Sequence, residues 1–81
     1  MSKSEQILGR LDSIFQDVLD DEEIRLTPAT TAADVPGWDS LNHVRLMVSV
    51  ESEFKVKFTA AELNKLKNVG DLVALLQSRG A

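Results

Sequence analysis

The stretch Pro36-Gly37-Trp38-Asp39-Ser40-Leu41-Asn42-His43-Val44 joins a loop rich in turn residues to a segment with apolar side chains at helical spacing. Pro36-Gly37 signals a turn. Asp39 is suited to cap a helix, which puts Ser40 on the first helical position. A helix start carries unpaired backbone N–H groups and partial positive charge. A phosphate on Ser40 would therefore sit where the backbone favours negative charge. The pattern points to a place where a phosphate-linked group is attached, not to a place where the chain itself does chemistry.

Upstream, Ile7, Leu8, Leu11, Ile14, Phe15, Val18 and Leu19 recur at three- and four-residue steps. They predict an amphipathic helix from about Ser4 to Leu19, with Glu5, Arg10, Asp12 and Asp17 off the stripe. Gly9 either costs this helix about 1 kcal/mol against alanine or marks a close approach by another helix. From Asp20 to Asp39 no period is sustained. Asp20-Asp21-Glu22-Glu23 reads as a solvated turn, since it lacks the alternating ligands, central glycine and terminal glutamate of a calcium loop. Ile24 and Leu26 read as apolar pins that hold the loop to the core. Thr31-Ala32-Ala33-Asp34 has the spacing of a capping box and predicts a short helical turn. Loops of this length are uncommon in small domains and are often functional. This one delivers the chain to Ser40.

Downstream, Leu41, Val44, Met47 or Val48, and Phe54 mark a second helix, from about Ser40 to Phe54. Leu46 and Val50 widen its apolar face, which predicts a central helix touching more than one neighbour. Val56 and Phe58 form an extended apolar link. Thr59-Ala60-Ala61-Glu62 is a capping box opening a short third helix that buries Leu63 and Leu66. A fourth helix begins at Asn68 or Val69, turns Val69, Leu72, Val73 and Leu76 inward, and stops at Gly80. Three main helices and one short one give an all-α fold, a small four-helix bundle in one domain over residues 1–81.

A chain of 81 residues makes a thin core and leaves little room for an enclosed active site. The balance of 9 basic and 13 acidic side chains, net −4, shows no basic face for nucleic acid. An acidic surface suits basic protein partners, or simply keeps a small chain in solution. No cysteine and one histidine exclude disulfides and thiolate or histidine-rich metal sites. No apolar run approaches a membrane span and no signal peptide opens the chain, so a cytoplasmic location is expected.

Asp39-Ser40-Leu41, opening a helix in a small acidic all-helical chain, resembles the acyl carrier proteins. With the length, the charge and the order of helices around it, the likeness extends over nearly the whole chain. The resemblance implies that Ser40 carries 4′-phosphopantetheine, transferred from coenzyme A by a separate phosphopantetheinyl transferase, with Asp39 and Leu41 beside it. It implies a stand-alone carrier, not an enzyme, that tethers acyl intermediates as thioesters and presents them to loading and processing enzymes. The docking surface expected from it is the second helix and the loop before it, with Trp38, Leu41, Asn42, Arg45 and Met47 as candidates. A monomer is the expected state for such a shuttle.

The single residues also have plainer readings. Asp39 serves as a cap in any case. Trp38 and His43 hold the two places of a hydrophobic staple around that cap. A hydrolase triad of Asp39, Ser40 and His43 is disfavoured, because three neighbours on one turn cannot form the relay and no oxyanion hole is evident. In fatty-acid carriers the second helix is typically rich in carboxylates that face basic enzymes. Here Asn42 and Arg45 stand where carboxylates are frequent, while Glu51 and Glu53 remain. That departure favours a specialised lipid or polyketide-like pathway. The alternatives are an aminoacyl or peptidyl carrier, D-alanyl carriers included, and an unmodified helical adaptor.

Overall fold

A computed structural model describes residues 3–80. The chain forms α1 (Lys3–Leu19), one 3-10 turn (Ala32–Asp34), α2 (Ser40–Phe54), α3 (Ala60–Asn64) and α4 (Val69–Ser78), with no strand among the described residues. The apolar stripe of α1 buries Ile7, Leu11, Ile14 and Phe15, and half-buries Leu8, Val18 and Leu19. The stripe of α4 buries Val69, Leu72, Val73 and Leu76. The principal helix contacts are α1 with α2 and α1 with α4. The central helix is therefore α1, and the expectation that the wide apolar face of α2 makes it the central one is corrected. A methyl group at Gly9 would meet nothing within 4 Å, so no helix approaches there and the residue is a local weakness of α1.

Both long helices end in the same way. Asp20 after α1 and Lys55 after α2 take left-handed conformations, with φ of 52° and 57°. The next N–H then reaches back to a carbonyl five residues earlier, Asp21 to Gln16 and Val56 to Glu51, each at 3.0 Å. The short α3 opens with a reciprocal capping box. The Glu62 carboxylate accepts from the Thr59 N–H at 2.9 Å, and the Thr59 hydroxyl accepts from the Glu62 N–H at 3.1 Å. Leu63 and Leu66, expected inside, are half-buried at the edge of the core.

The long loop is built into the structure. Ile24, Leu26 and Val35 are buried in the same core as the helices. Asp12, off the stripe of α1, turns its carboxylate to the Leu26 N–H at 2.7 Å, and Gln16 donates to the Ile24 carbonyl at 2.9 Å. Further along, the carbonyls of Pro28 and Thr30 accept from the N–H groups of Gly70 and Val69, both at 2.8 Å. These are donors that a helix start leaves without partners in its own helix. The contact is so close that a Cβ on Gly70 would lie 2.9 Å from the Pro28 carbonyl oxygen. The loop thus closes the start of α4 while it leads the chain to the start of α2. Among the described residues no helix is long and apolar enough to cross a membrane, and no group of three or more His, Cys, Asp or Glu is placed to hold a metal ion.

Candidate attachment site

Val35-Pro36-Gly37-Trp38 forms the turn that aims α2. The Trp38 N–H donates to the Val35 carbonyl at 3.1 Å, and Gly37 has φ of 88°. Proline second and a positive-φ glycine third are the residues a type II turn requires. Asp39 follows in extended backbone, and its carboxylate accepts from the Asn42 N–H at 2.9 Å. Its carbonyl takes the His43 N–H at 2.8 Å, the first bond of α2. Asn42 reaches back across the turn and donates its amide to the Gly37 carbonyl at 2.7 Å. Ser40 is therefore the first residue of α2, fixed on both sides by caps and itself exposed.

Trp38 and His43 hold the two staple places, and a hydrogen bond joins them. Trp38 Nε1 donates to His43 Nδ1 at 3.0 Å, with the rings within 13° of parallel. This bond requires an acceptor at Nδ1, which assigns the ring proton of neutral His43 to Nε2. The half-buried indole also packs edge-on against Phe15, with ring centroids 4.8 Å apart. A small cavity of about 70 Å³ lies beside the pair, walled further by Met47, Leu66 and Leu72. With Asp39 on the Asn42 N–H and His43 Nδ1 on Trp38, the carboxylate–imidazole link of a hydrolase relay is not made.

The apolar residues of α2 divide between two sides. Leu46, Met47 and Val50 are buried, with Met47 only 2 % exposed. Leu41, Val44 and Val48 are 70 %, 60 % and 59 % exposed. Met47 is thus a correction to the docking candidates, because its side chain lies in the core. Leu41 and Arg45 stand in solvent, Trp38 and Asn42 are half-buried, and the Asn42 amide is spent on the turn. Val44 and Val48 are exposed members of the outer strip that the sequence reading did not place there. Their spacing from Leu41 is the spacing of a core stripe, so only the excess of apolar positions around α2 hinted that some must face outward.

A family model described as a phosphopantetheine attachment site matches residues 9–76, which span α2 and the loop before it. The chain is also 35% identical over 79 residues to the acyl carrier protein of Thermotoga maritima, covering 98% of each chain. This chain belongs to the acyl carrier protein family. Its fold is that of the family as well. The solution NMR structure of a holo acyl carrier protein from Geobacter metallireducens matches with a TM-score of 0.84 and 50% identity, over 89% of this chain and 83% of that one. The carrier is accordingly not a catalyst, and its cofactor is covalently attached 4′-phosphopantetheine. Acyl carriers work with phosphopantetheinyl transferases and acyl-processing enzymes. The start of α2 fits such a group, since it offers an exposed hydroxyl at the positive end of a 15-residue helix.

Proposed function

We propose that Ser40 is the attachment residue and that this carrier serves a specialised lipid or polyketide-like pathway. The observation that carries the first part is the exposed Ser40 on the first residue of α2, inside the span matched by the family model. In the loading step the Ser40 hydroxyl oxygen forms a bond to a phosphorus of coenzyme A, and adenosine bisphosphate leaves. The transferase supplies the magnesium and the base that takes the hydroxyl proton. Asp39 holds the first turn in place during this step through its bond to the Asn42 N–H. Once attached, the arm supplies a terminal thiol that holds cargo as a thioester, ready for transfer. Ser40 and the Pro36-Gly37 turn fix the root of that arm beside the exposed strip Leu41, Val44 and Val48, so a docked enzyme meets the cargo at high effective concentration.

The second part is supported by Arg45, exposed next to that strip where the resemblance calls for a carboxylate. The proposed carrier is one domain over residues 1–81, monomeric and cytoplasmic. Intact mass tests the attachment, after incubation with coenzyme A, magnesium and a broad-specificity phosphopantetheinyl transferase. The wild type should gain one phosphopantetheine unit, and Ser40→Ala none. Full loading of the Ser40→Ala variant would move the attachment to another residue.

A further inference from the structure

The only tryptophan and the only histidine of the chain stand on either side of Ser40, and one hydrogen bond ties them together. Trp38 ends the turn that aims α2, with its N–H on the Val35 carbonyl. Its indole leans on Phe15, a residue of α1 with no exposed surface. The N–H of His43 makes the first backbone bond of α2, to the Asp39 carbonyl. The bond from Trp38 Nε1 to His43 Nδ1 therefore links the core side of α1 to the opening turn of α2, and Ser40 lies inside the segment it closes. Both side chains are half-buried, so the link is within reach of solvent protons.

This link exists in one protonation state. Nδ1 accepts only while the imidazole is neutral, because the imidazolium carries a proton on each nitrogen. Protonation would set two N–H groups against each other. An indole N–H also leaves from the edge of its ring, the positive part of the aromatic quadrupole, so an imidazolium opposite it is repelled. The surroundings do not offset that charge. The cavity beside the pair is walled by Ala32, Met47, Leu66, Lys67, Asn68 and Leu72, and its one charged member is a cation. From α1 the facing group is the Phe15 ring. The carboxylates of the adjoining segments, Asp34, Asp39 and Asp71, accept from the N–H groups of Thr31, Asn42 and Lys67, and none of them lines the cavity. Histidine is also the side chain whose ordinary charge change falls nearest neutral pH.

We propose that His43 is a positioning residue for loading. While neutral it holds Trp38, and through it the start of α2, in the form that presents the Ser40 hydroxyl. On protonation it lets that start go. The inference rests on the reading of Ser40 as the attachment residue, and adds control by protons to it. His43 touches no reacting atom and acts through the indole. With the link open, the first turn of α2 keeps the Asp39 cap and the Asn42 bond to Gly37, without its aromatic anchor to α1.

One tryptophan and one histidine make the test direct. In the full, unmodified chain, NMR follows the Trp38 indole N–H and the His43 ring from mildly alkaline to mildly acid pH, beside His43→Asn and His43→Leu. Asparagine places an amide oxygen where Nδ1 stands and does not titrate, and leucine fills the space but accepts nothing. In the wild type the indole signal should move with the same midpoint as the imidazole. In His43→Asn it should keep the bonded position throughout, and in His43→Leu the released one. Loading by a phosphopantetheinyl transferase is then followed by mass, as the ratio of wild-type to His43→Asn kcat/KM, in which the titration of the enzyme itself cancels. That ratio should fall about two- to tenfold as the imidazole protonates, the range one hydrogen bond supplies. His43→Leu should load more slowly than His43→Asn by a similar factor at every pH. An indole signal that does not follow the imidazole, or a ratio that stays flat across its titration, would overturn the proposal. Equal loading of the two variants, with both showing the amide spectrum of the folded chain, would overturn it as well. Failure of the attachment reading shows separately, as no mass gain of the wild type at any pH, and the indole titration then still decides whether the link opens.

Discussion

The two sides of α2 carry nearly the same chemistry and meet opposite fates. Leu46, Met47 and Val50 lie in the core, while Leu41, Val44 and Val48 stand in water. Both sets repeat at three- and four-residue steps, so both satisfy the pattern of an amphipathic helix. A single helix has no reason of stability to leave three large aliphatic residues exposed. The outer set is the surface that the proposed docking would use. The starts of α2 and α4 differ in a parallel way. Loop carbonyls close the start of α4, whereas the start of α2 presents Ser40 to solvent.

The widest contrast is between Leu46→Ala and Leu41→Ala. The first should cost about 2–5 kcal/mol, the second no more than about 0.5 kcal/mol, by urea denaturation. Equal losses would mean that the outer strip is structural and would break the comparison. Next comes the closed helix start. Gly70→Ala drives a methyl group toward the Pro28 carbonyl and should cost about 1–3 kcal/mol, read in the same way. At the open start, Asp39→Ala loses the cap on Asn42 and should cost about 0.5–2 kcal/mol, with thermal unfolding as the measurement. Gly9→Ala enters open space on α1 and should raise stability by about 0.5–1 kcal/mol. A loss there would reveal a contact that the fold does not show.

The smallest effect is one of pH, at Glu62 in α3. The Glu62 carboxyl is held below its ordinary value, first by the Thr59 backbone N–H and then by Arg79, against an opposing cost of desolvation. A depressed folded-state pKa means that its contribution is complete above the unfolded-state pKa. The contribution fades as pH falls through the lower, folded-state value. The stability difference between wild type and Glu62→Gln should therefore be present at neutral pH and vanish in acid. A difference that persists in acid would assign it to packing of the side chain.

The helices of this carrier could be read from the chain because their causes are local. The stripes of α1 and α4, the cap at Asp39 and the box from Thr59 to Glu62 all act within one or two turns. Ser40 falls on the first residue of α2 for the same reason. The side of α2 that is buried could not be read, since the apolar residues nearly surround it and only packing against α1 decides. Periodicity also says nothing about the anchoring of the loop. The bond from Asp12 to Leu26 spans 14 residues, and the bonds from Val69 and Gly70 return to Thr30 and Pro28 across two helices. Lys67 of the α3–α4 connection was visible as a residue but not as a neighbour of His43 and Met47 of α2, because a turn in space brings it there.

The two amides that tie α4 to the loop give the carrier a built-in gauge. The N–H groups of Val69 and Gly70 end on loop carbonyls, so they exchange with deuterium only when the loop lifts or α4 frays. Leu72 and Val73, deeper in α4, report on fraying and wider opening alone. The difference between the two pairs isolates movement of the loop that leads to Ser40. Followed through loading, acylation and docking, that difference would reveal at which stage of its working cycle the carrier loosens its hold on the start of α2.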